Sequence, residues 1–244
     1  IKTLENGWNI TIVSDGAGSA SNSRKGSEIL VNSIGEFLQE QLLKKEHQIL
    51  IDGVKVWSVH AHKDIGQKFN EWFRDAAIQG IQNIKAEAYS NNASVKSYSS
   101  TVLAAVTLRV ENELFAATFW VGDGAIVAYS HQDALRVLGK VDSGEFAGQT
   151  RFLDDVLLRD AQFYDRIRIG KWKNIDYFLL MTDGVSDPKF ESDATLYQKE
   201  CWKSLIDEIE PILQKGDRPD EQLLDWLQFQ SPGHHDDRTL IVIW

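Results

Sequence analysis

Thr101-Val102-Leu103-Ala104-Ala105-Val106-Thr107-Leu108-Arg109-Val110 is followed within a few residues by Leu114–Val121 and Ala125–Tyr129. These runs are apolar, β-branched and closely spaced, the pattern of a meander of antiparallel strands. Asn112, between Glu111 and Glu113, suits a hairpin turn. Upstream the periods differ. Trp8–Ser14 reads as a buried strand, 23–45 as a helix with Leu30, Ile34, Phe37, Leu38 and Leu42 on one face, and 64–90 as a second long helix. Residues 46–63 carry a β-like piece at Ile49-Leu50-Ile51 and a Gly53 turn. Downstream, Ala161–Ile169 and Tyr177–Thr182 read as strands, 193–214 and 219–229 as helices, the first broken near Pro211, and Thr239–Trp244 as a strand. Grouped helices and grouped strands, without regular alternation, predict an α+β layered domain.

The chain has 244 residues, enough for one large domain with a sizeable core. Lys+Arg 26 against Asp+Glu 36 leaves a net charge of −10. That balance lacks the electrostatic footprint of a nucleic-acid binder, and it repels a phosphorylated substrate unless local cations reverse the sign. A single cysteine, Cys201, excludes an internal disulfide, so a cytoplasmic home is the default. No apolar run approaches the ~20 residues of a membrane span. Nothing in the pattern asks for more than a monomer, and no internal repeat or linker divides the chain.

Acidic corners recur. Asp15-Gly16-Ala17-Gly18 ends the first strand, and Gly122-Asp123-Gly124 separates two strands. Thr182-Asp183-Gly184-Val185-Ser186-Asp187 follows another, and Asp236-Asp237-Arg238-Thr239 precedes the last. Any one of these Asp residues is explained by turn or cap chemistry. As a set, carboxylates gathered at strand ends repel one another unless a cation neutralises them. An oxygen-only set suits Mg²⁺ or Mn²⁺ rather than zinc. His60-Ala61-His62 and His234-His235 lack zinc-ligand spacing.

The chain resembles the metal-dependent serine/threonine protein phosphatases of type 2C, and their bacterial branch in particular. The resemblance rests on the four acidic motifs above, in order, together with Ser99-Ser100-Thr101-Val102-Leu103-Ala104. Gly144-Glu145-Phe146-Ala147 and Thr150-Arg151-Phe152-Leu153 add the bacterial flavour. The match runs from about Trp8 to Trp244. It implies a four-layer α/β/β/α sandwich: two antiparallel sheets flanked by antiparallel helix pairs, a single domain over 1–244. It also implies two Mg²⁺ or Mn²⁺ ions, with a third in some members. Asp15 would bridge the two ions, the Gly16 carbonyl would bind the second, and Asp183 and Asp236 would hold the first. Asp123 and Asp187 would form the third site. A hydroxide between the two metals would attack a phosphoserine or phosphothreonine of a protein substrate, opposing a serine/threonine kinase, with no phosphoenzyme. Residues 139–156 fall where the family carries its flap.

Two departures stand out. The family's opening strand, with a phosphate-binding Arg, has no counterpart, so the domain is expected to lack its first N-terminal strand. Position 17, a His in some members, is Ala here; His62 or His235 is a weak substitute. A rival reading is a catalytically weak phosphatase-like domain that binds phosphoproteins or a partner. Another is an aspartyl-phosphate enzyme using Asp183, but such enzymes carry a second acid two residues on, where this chain has Val185. A scaffold role has only the eight Trp behind it.

Overall fold

The computed structural model describes residues 1–139, 141–142, 150–215, 217–231, 233 and 236–244. A short edge strand β1 (Lys2–Thr3) and β2 (Trp8–Val13) lead into the helices α1 (Ser23–Leu43), α2 (Gln48–Val56) and α3 (Val59–Ser90). Then come β3 (Val102–Val110), β4 (Glu113–Val121), β5 (Ala125–Tyr129), β6 (Arg136–Val137) and α4 (Asp155–Arg159). The chain continues through β7 (Ile167–Lys173), β8 (Tyr177–Met181), α5 (Asp183–Lys189), α6 (Lys199–Lys215), α7 (Pro219–Trp226) and β9 (Leu240–Ile243). One antiparallel sheet runs β1-β2-β3-β4-β7 and the other β6-β5-β8-β9.

The period-2 alternation of the strands builds the layers. On β3 and β4, Val102, Ala104, Val106, Phe115, Ala117 and Phe119 face α1 and α3 in one core. Their neighbours Leu103, Ala105, Leu114, Ala116 and Trp120 turn the other way and meet Ile126, Ala128, Phe178, Leu180 and Ile241 of the second sheet. The outer face of that sheet, with Val127, Tyr129, Leu179 and Met181, packs on Trp202, Leu205, Ile206 and Ile209 of α6. The molecule is therefore helices, sheet, sheet, helices, as the resemblance implies. α1 and α3 run antiparallel: Asn83 donates to Ser33 at 2.8 Å, while His47, just past α1, lies 4.9 Å from the Trp72 ring.

Several sequence expectations are corrected. The β-like Ile49-Leu50-Ile51 is part of α2, where Ile51 and Val54, three residues apart, are buried and Trp57 closes the helix at φ 46°. Gly53 is inside that helix rather than in a turn. Ala161–Arg166 is a 3₁₀ helix, not a strand. Asp160 starts it by accepting a hydrogen bond from Gln162 N at 2.9 Å, local chemistry that outweighs the apolar run. Asp193–Tyr197 is likewise a separate 3₁₀ turn. Pro211 does not break α6; it sits on the exposed side, where the carbonyl four residues back can turn to water. At the β3–β4 hairpin the left-handed residue is Glu111 (φ 54°), the neighbour of Asn112. Ahead of β2, Lys2–Thr3 pairs with it as a two-residue edge strand, and the first arginine of the chain is Arg24.

Candidate active site

Antiparallel register gathers the acidic corners at one edge of the sandwich. Val13 pairs with Leu103, Val102 with Val121, Ala125 with Met181, and Met181 with Leu240. The segment after β2, the β4–β5 turn, the start of α5 and the segment before β9 must all emerge at that edge. Asp15, Gly16, Asp123, Asp183 and Asp236 lie on them, and Asp187 lies one helical turn after Asp183 in α5.

The pairing of β2 with β3 continues past both strands and fixes the first corner. Asp15 N donates to Thr101 Oγ1 at 2.9 Å, Thr101 N donates to Asp15 O at 2.8 Å, Gly16 bridges Ser100, and Ala17 N donates to Ser99 O at 3.0 Å. Two glycines let the next corners close up. A Cβ on Gly122, at φ +122°, would lie 2.6 Å from Thr101 Cβ, and a Cβ on Gly184 would lie 2.3 Å from Asp237 O. Thr182 N donates to Thr239 O at 3.1 Å, and Thr239 N donates to Thr182 Oγ1 at 3.1 Å, tying the α5 start to the β9 start. Arg238 clasps the same place. It donates to Gly184 O, Leu227 O and Phe229 O, and its guanidinium lies 3.9 Å from the Phe229 ring.

The electrostatics are those of unneutralised negative charge. Burial pushes the Asp183 carboxyl up to about 7, and Asp123, Asp15 and Asp187 add repulsion; a hydrogen bond from Gly184 N opposes them. Burial also pushes Asp15 up to about 6, with Asp236, Asp237 and Asp123 adding to it against the Gly16 amide. Among the described residues, the charged groups that act most on both are carboxylates. Beside them Asp123, Ser186, Asp187, Glu191 and Asp193 line a cavity of about 240 Å³. Ser186 Oγ is buried there without a hydrogen-bond partner. Anionic oxygens, repulsion and an orphaned hydroxyl fit a hard divalent cation in chemistry. Among the described residues, however, no three His, Cys, Asp or Glu side chains are set in ligating positions as they stand.

Sequence reasoning left several groups without a role. Thr150 Oγ1 donates to Asp123 Oδ2 at 2.5 Å. Asp142 N donates to Gly122 O at 3.0 Å, and the Asp142 side chain pairs with Arg166 at 2.9 Å in a mostly buried ion pair. Thr150 and Asp142 lie within the 139–156 stretch read as a flap; Lys140 and 143–149, including Gly144 and Gly148, lie outside the described residues, as do His234 and His235. Arg166 was hidden inside the supposed strand. His62 stacks on Trp57 at 4.6 Å near the start of α3. The 95–101 segment that holds Asp15 packs beside Ile81 and Ile84, about 30 Å further along that helix at 1.5 Å per residue. His62 is therefore no proton donor for the site.

No curated protein matches the sequence significantly. Solved structures share the fold. The S. agalactiae serine/threonine phosphatase superposes with TM-score 0.55 at 15% identity, covering 98% of this chain and 88% of that one. The Mycobacterium tuberculosis serine/threonine phosphatase PstP/Ppp gives 0.54 at 14%, covering 99% and 93%. The PstP catalytic domain in complex with two manganese ions gives 0.51 at 14%, covering 96% and 85%. The protein phosphatase 2C family model matches residues 1–228. The chain belongs to the protein phosphatase 2C family and is a protein serine/threonine phosphatase.

Proposed function

We propose that the chain hydrolyses phosphoserine and phosphothreonine in proteins at the acidic edge of the sandwich, using Mg²⁺ or Mn²⁺. The observation that carries this reading is the convergence of acidic strand ends on one edge, where the half-buried Asp15 and Asp183 are raised to about 6 and about 7 by burial, with neighbouring Asp carboxylates adding repulsion. Such a cluster is costly to keep without a bound cation. Asp15 would be shared between two ions, with the Gly16 carbonyl on one and Asp183 and Asp236 on the other. Asp123 and Asp187 would serve a third, weaker site. When bound, the ions supply the positive charge that draws in a phosphoryl group and lower the pKa of the attacking water, so that phosphorus is attacked directly.

The chain's own residues do the positioning. The Thr101 hydroxyl and amide hold the Asp15 backbone, Gly184 N holds Asp183 Oδ1 at 2.8 Å, and Thr150 holds Asp123. Val185 is fully buried beneath the site, so the second acid of an aspartyl-phosphate enzyme has no equivalent. Ala17 has no dissociable proton to give the leaving group. On this reading the substrate is a phosphoprotein made by a serine/threonine kinase, and residues 1–244 form one phosphatase domain that works in the cytoplasm as a monomer. No helix among the described residues is long and apolar enough to cross a membrane. The test is turnover of a phosphothreonine peptide, with a phosphate mimic added to trap covalent adducts. Metal-dependent release of phosphate with no aspartyl adduct is expected; an adduct on Asp183 overturns the direct mechanism.

A further inference from the structure

A second cleft, of about 530 Å³, opens beside the acidic edge, between the end of α3, the 95–99 segment and 150–156. Its size lies within the ~300–1,000 Å³ of ligand clefts. Ile81, Ile84, Tyr98 and Leu153 form an apolar floor, and Val95 and Val156 stand at its lip, 41% and 67% exposed. Val156 is an exposed apolar residue of the short helix α4. Its neighbour Leu157 turns inward and is fully buried, which leaves Val156 pointing outward over the cleft. The acids on this rim are engaged: Asp155 pairs with Lys85 at 2.7 Å, and Asp154 caps α4 through Leu157 N and meets Arg151. Lys96, exposed on the opposite rim, makes no ion pair among the described residues. The cleft thus offers an apolar floor and one uncompensated positive charge.

The cleft adjoins the proposed metal centre through two of its lining residues. Ser99 lines it, and the Ser99 carbonyl receives the Ala17 amide beside Asp15-Gly16. Thr150 lines it too, and its hydroxyl holds Asp123. Leu153 N donates to Ser100 O at 3.3 Å and closes the floor between them. A protein substrate whose phosphorylated residue reaches Asp15-Gly16 must lay its neighbouring residues somewhere, and this is an apolar surface that begins at that point. We propose that the cleft is the substrate-docking groove: it takes the peptide segment flanking the phosphorylated residue, with an apolar side chain on the Ile81–Ile84–Leu153 floor and a carboxylate beside Lys96. This rests on the phosphatase reading of the acidic edge.

The experiment compares two phosphothreonine peptides and p-nitrophenyl phosphate, a small ester that needs no groove. One peptide carries Leu and Glu within four residues of the phosphothreonine on both sides; the other carries Ser and Lys there. Wild-type protein is expected to favour the Leu/Glu peptide by ~10-fold in kcat/KM, through KM. Val156→Asp and Lys96→Glu, both surface changes, are each expected to erase that preference while leaving p-nitrophenyl phosphate hydrolysis unchanged. Variants that keep the preference, or a wild type that has none yet hydrolyses the small ester, overturn the groove and leave the phosphatase reading standing. A Val156→Asp change that disperses a dimer in sedimentation without altering peptide kinetics gives the cleft to a second copy and also overturns it. Failure to hydrolyse any of the three removes the phosphatase reading and the groove together.

Discussion

Asp183 is the residue on which burial and repulsion bear most heavily, and it has a testable signature apart from turnover. Its carboxyl titrates near 7 in the metal-free fold against 3.8 ordinarily. Between those values the native state holds a proton that the unfolded chain has lost, so this group makes stability fall as pH rises from about 4 to about 7. Asp15, near 6, acts in the same direction over a narrower window. Metal-free protein is therefore expected to melt higher at pH 5.5 than at pH 8, and saturating Mn²⁺ is expected to raise the pH 8 melting point. Asp183→Asn removes the charge; it should raise the metal-free Tm at pH 8 and flatten its pH dependence, while cutting phosphatase turnover. The loss should exceed the ~10–100-fold typical of an outer-shell change, with Mn²⁺ affinity by calorimetry falling in step. An Asp183→Asn protein with lower metal-free stability at pH 8 and normal turnover would remove Asp183 from the site.

Among the elements, the turns hold the site together more than the strands do. Gly184→Ala would place a methyl 2.3 Å from the Asp237 carbonyl and push α5 away from the start of β9. A loss of about 1–3 kcal/mol in denaturant unfolding is expected, with weaker Mn²⁺ binding. Thr150→Val should leave the fold intact and weaken Mn²⁺ binding about 10-fold; Thr150→Ser should restore it. This is also the scale at which the sequence is most and least legible. Strands β3, β4, β5 and β8 were readable because both their faces are buried, leaving continuous apolar runs that only a sheet sandwiched between other layers can bury. The helix α2 and the 3₁₀ turn at Ala161–Arg166 were not, because short apolar runs fit either period and the decision rests with caps such as Trp57 and Asp160. The acidic corners were legible as a set of motifs. Their outer partners were not. Thr150 bonds to Asp123, Asp142 to Gly122, and Arg166 to Asp142, all through tertiary contacts; the Thr150 motif gave a resemblance but no role, and no local pattern marks the other two.

For the whole molecule, the two-sheet core determines whether the four corners meet at all. Phe178 is fully buried between the sheets, in the same layer as Leu103, Ala105 and Trp120. Phe178→Ala should cost about 3–5 kcal/mol of unfolding free energy in urea, and at temperatures where the variant is still folded its Mn²⁺ affinity should be near normal. The layering also bears on how a chain of net charge −10 could act on phosphorylated proteins: it brings the segments carrying Asp15, Asp123, Asp183 and Asp236 to one edge, where bound cations would reverse the local sign. The most direct measurement of that claim is the turnover of a phosphothreonine peptide by the full chain in Mn²⁺, in EDTA, and after Mn²⁺ is restored. Turnover that is present with metal, lost in EDTA and recovered on re-addition is the predicted result; turnover that is absent at saturating metal, or unchanged in EDTA, would contradict it.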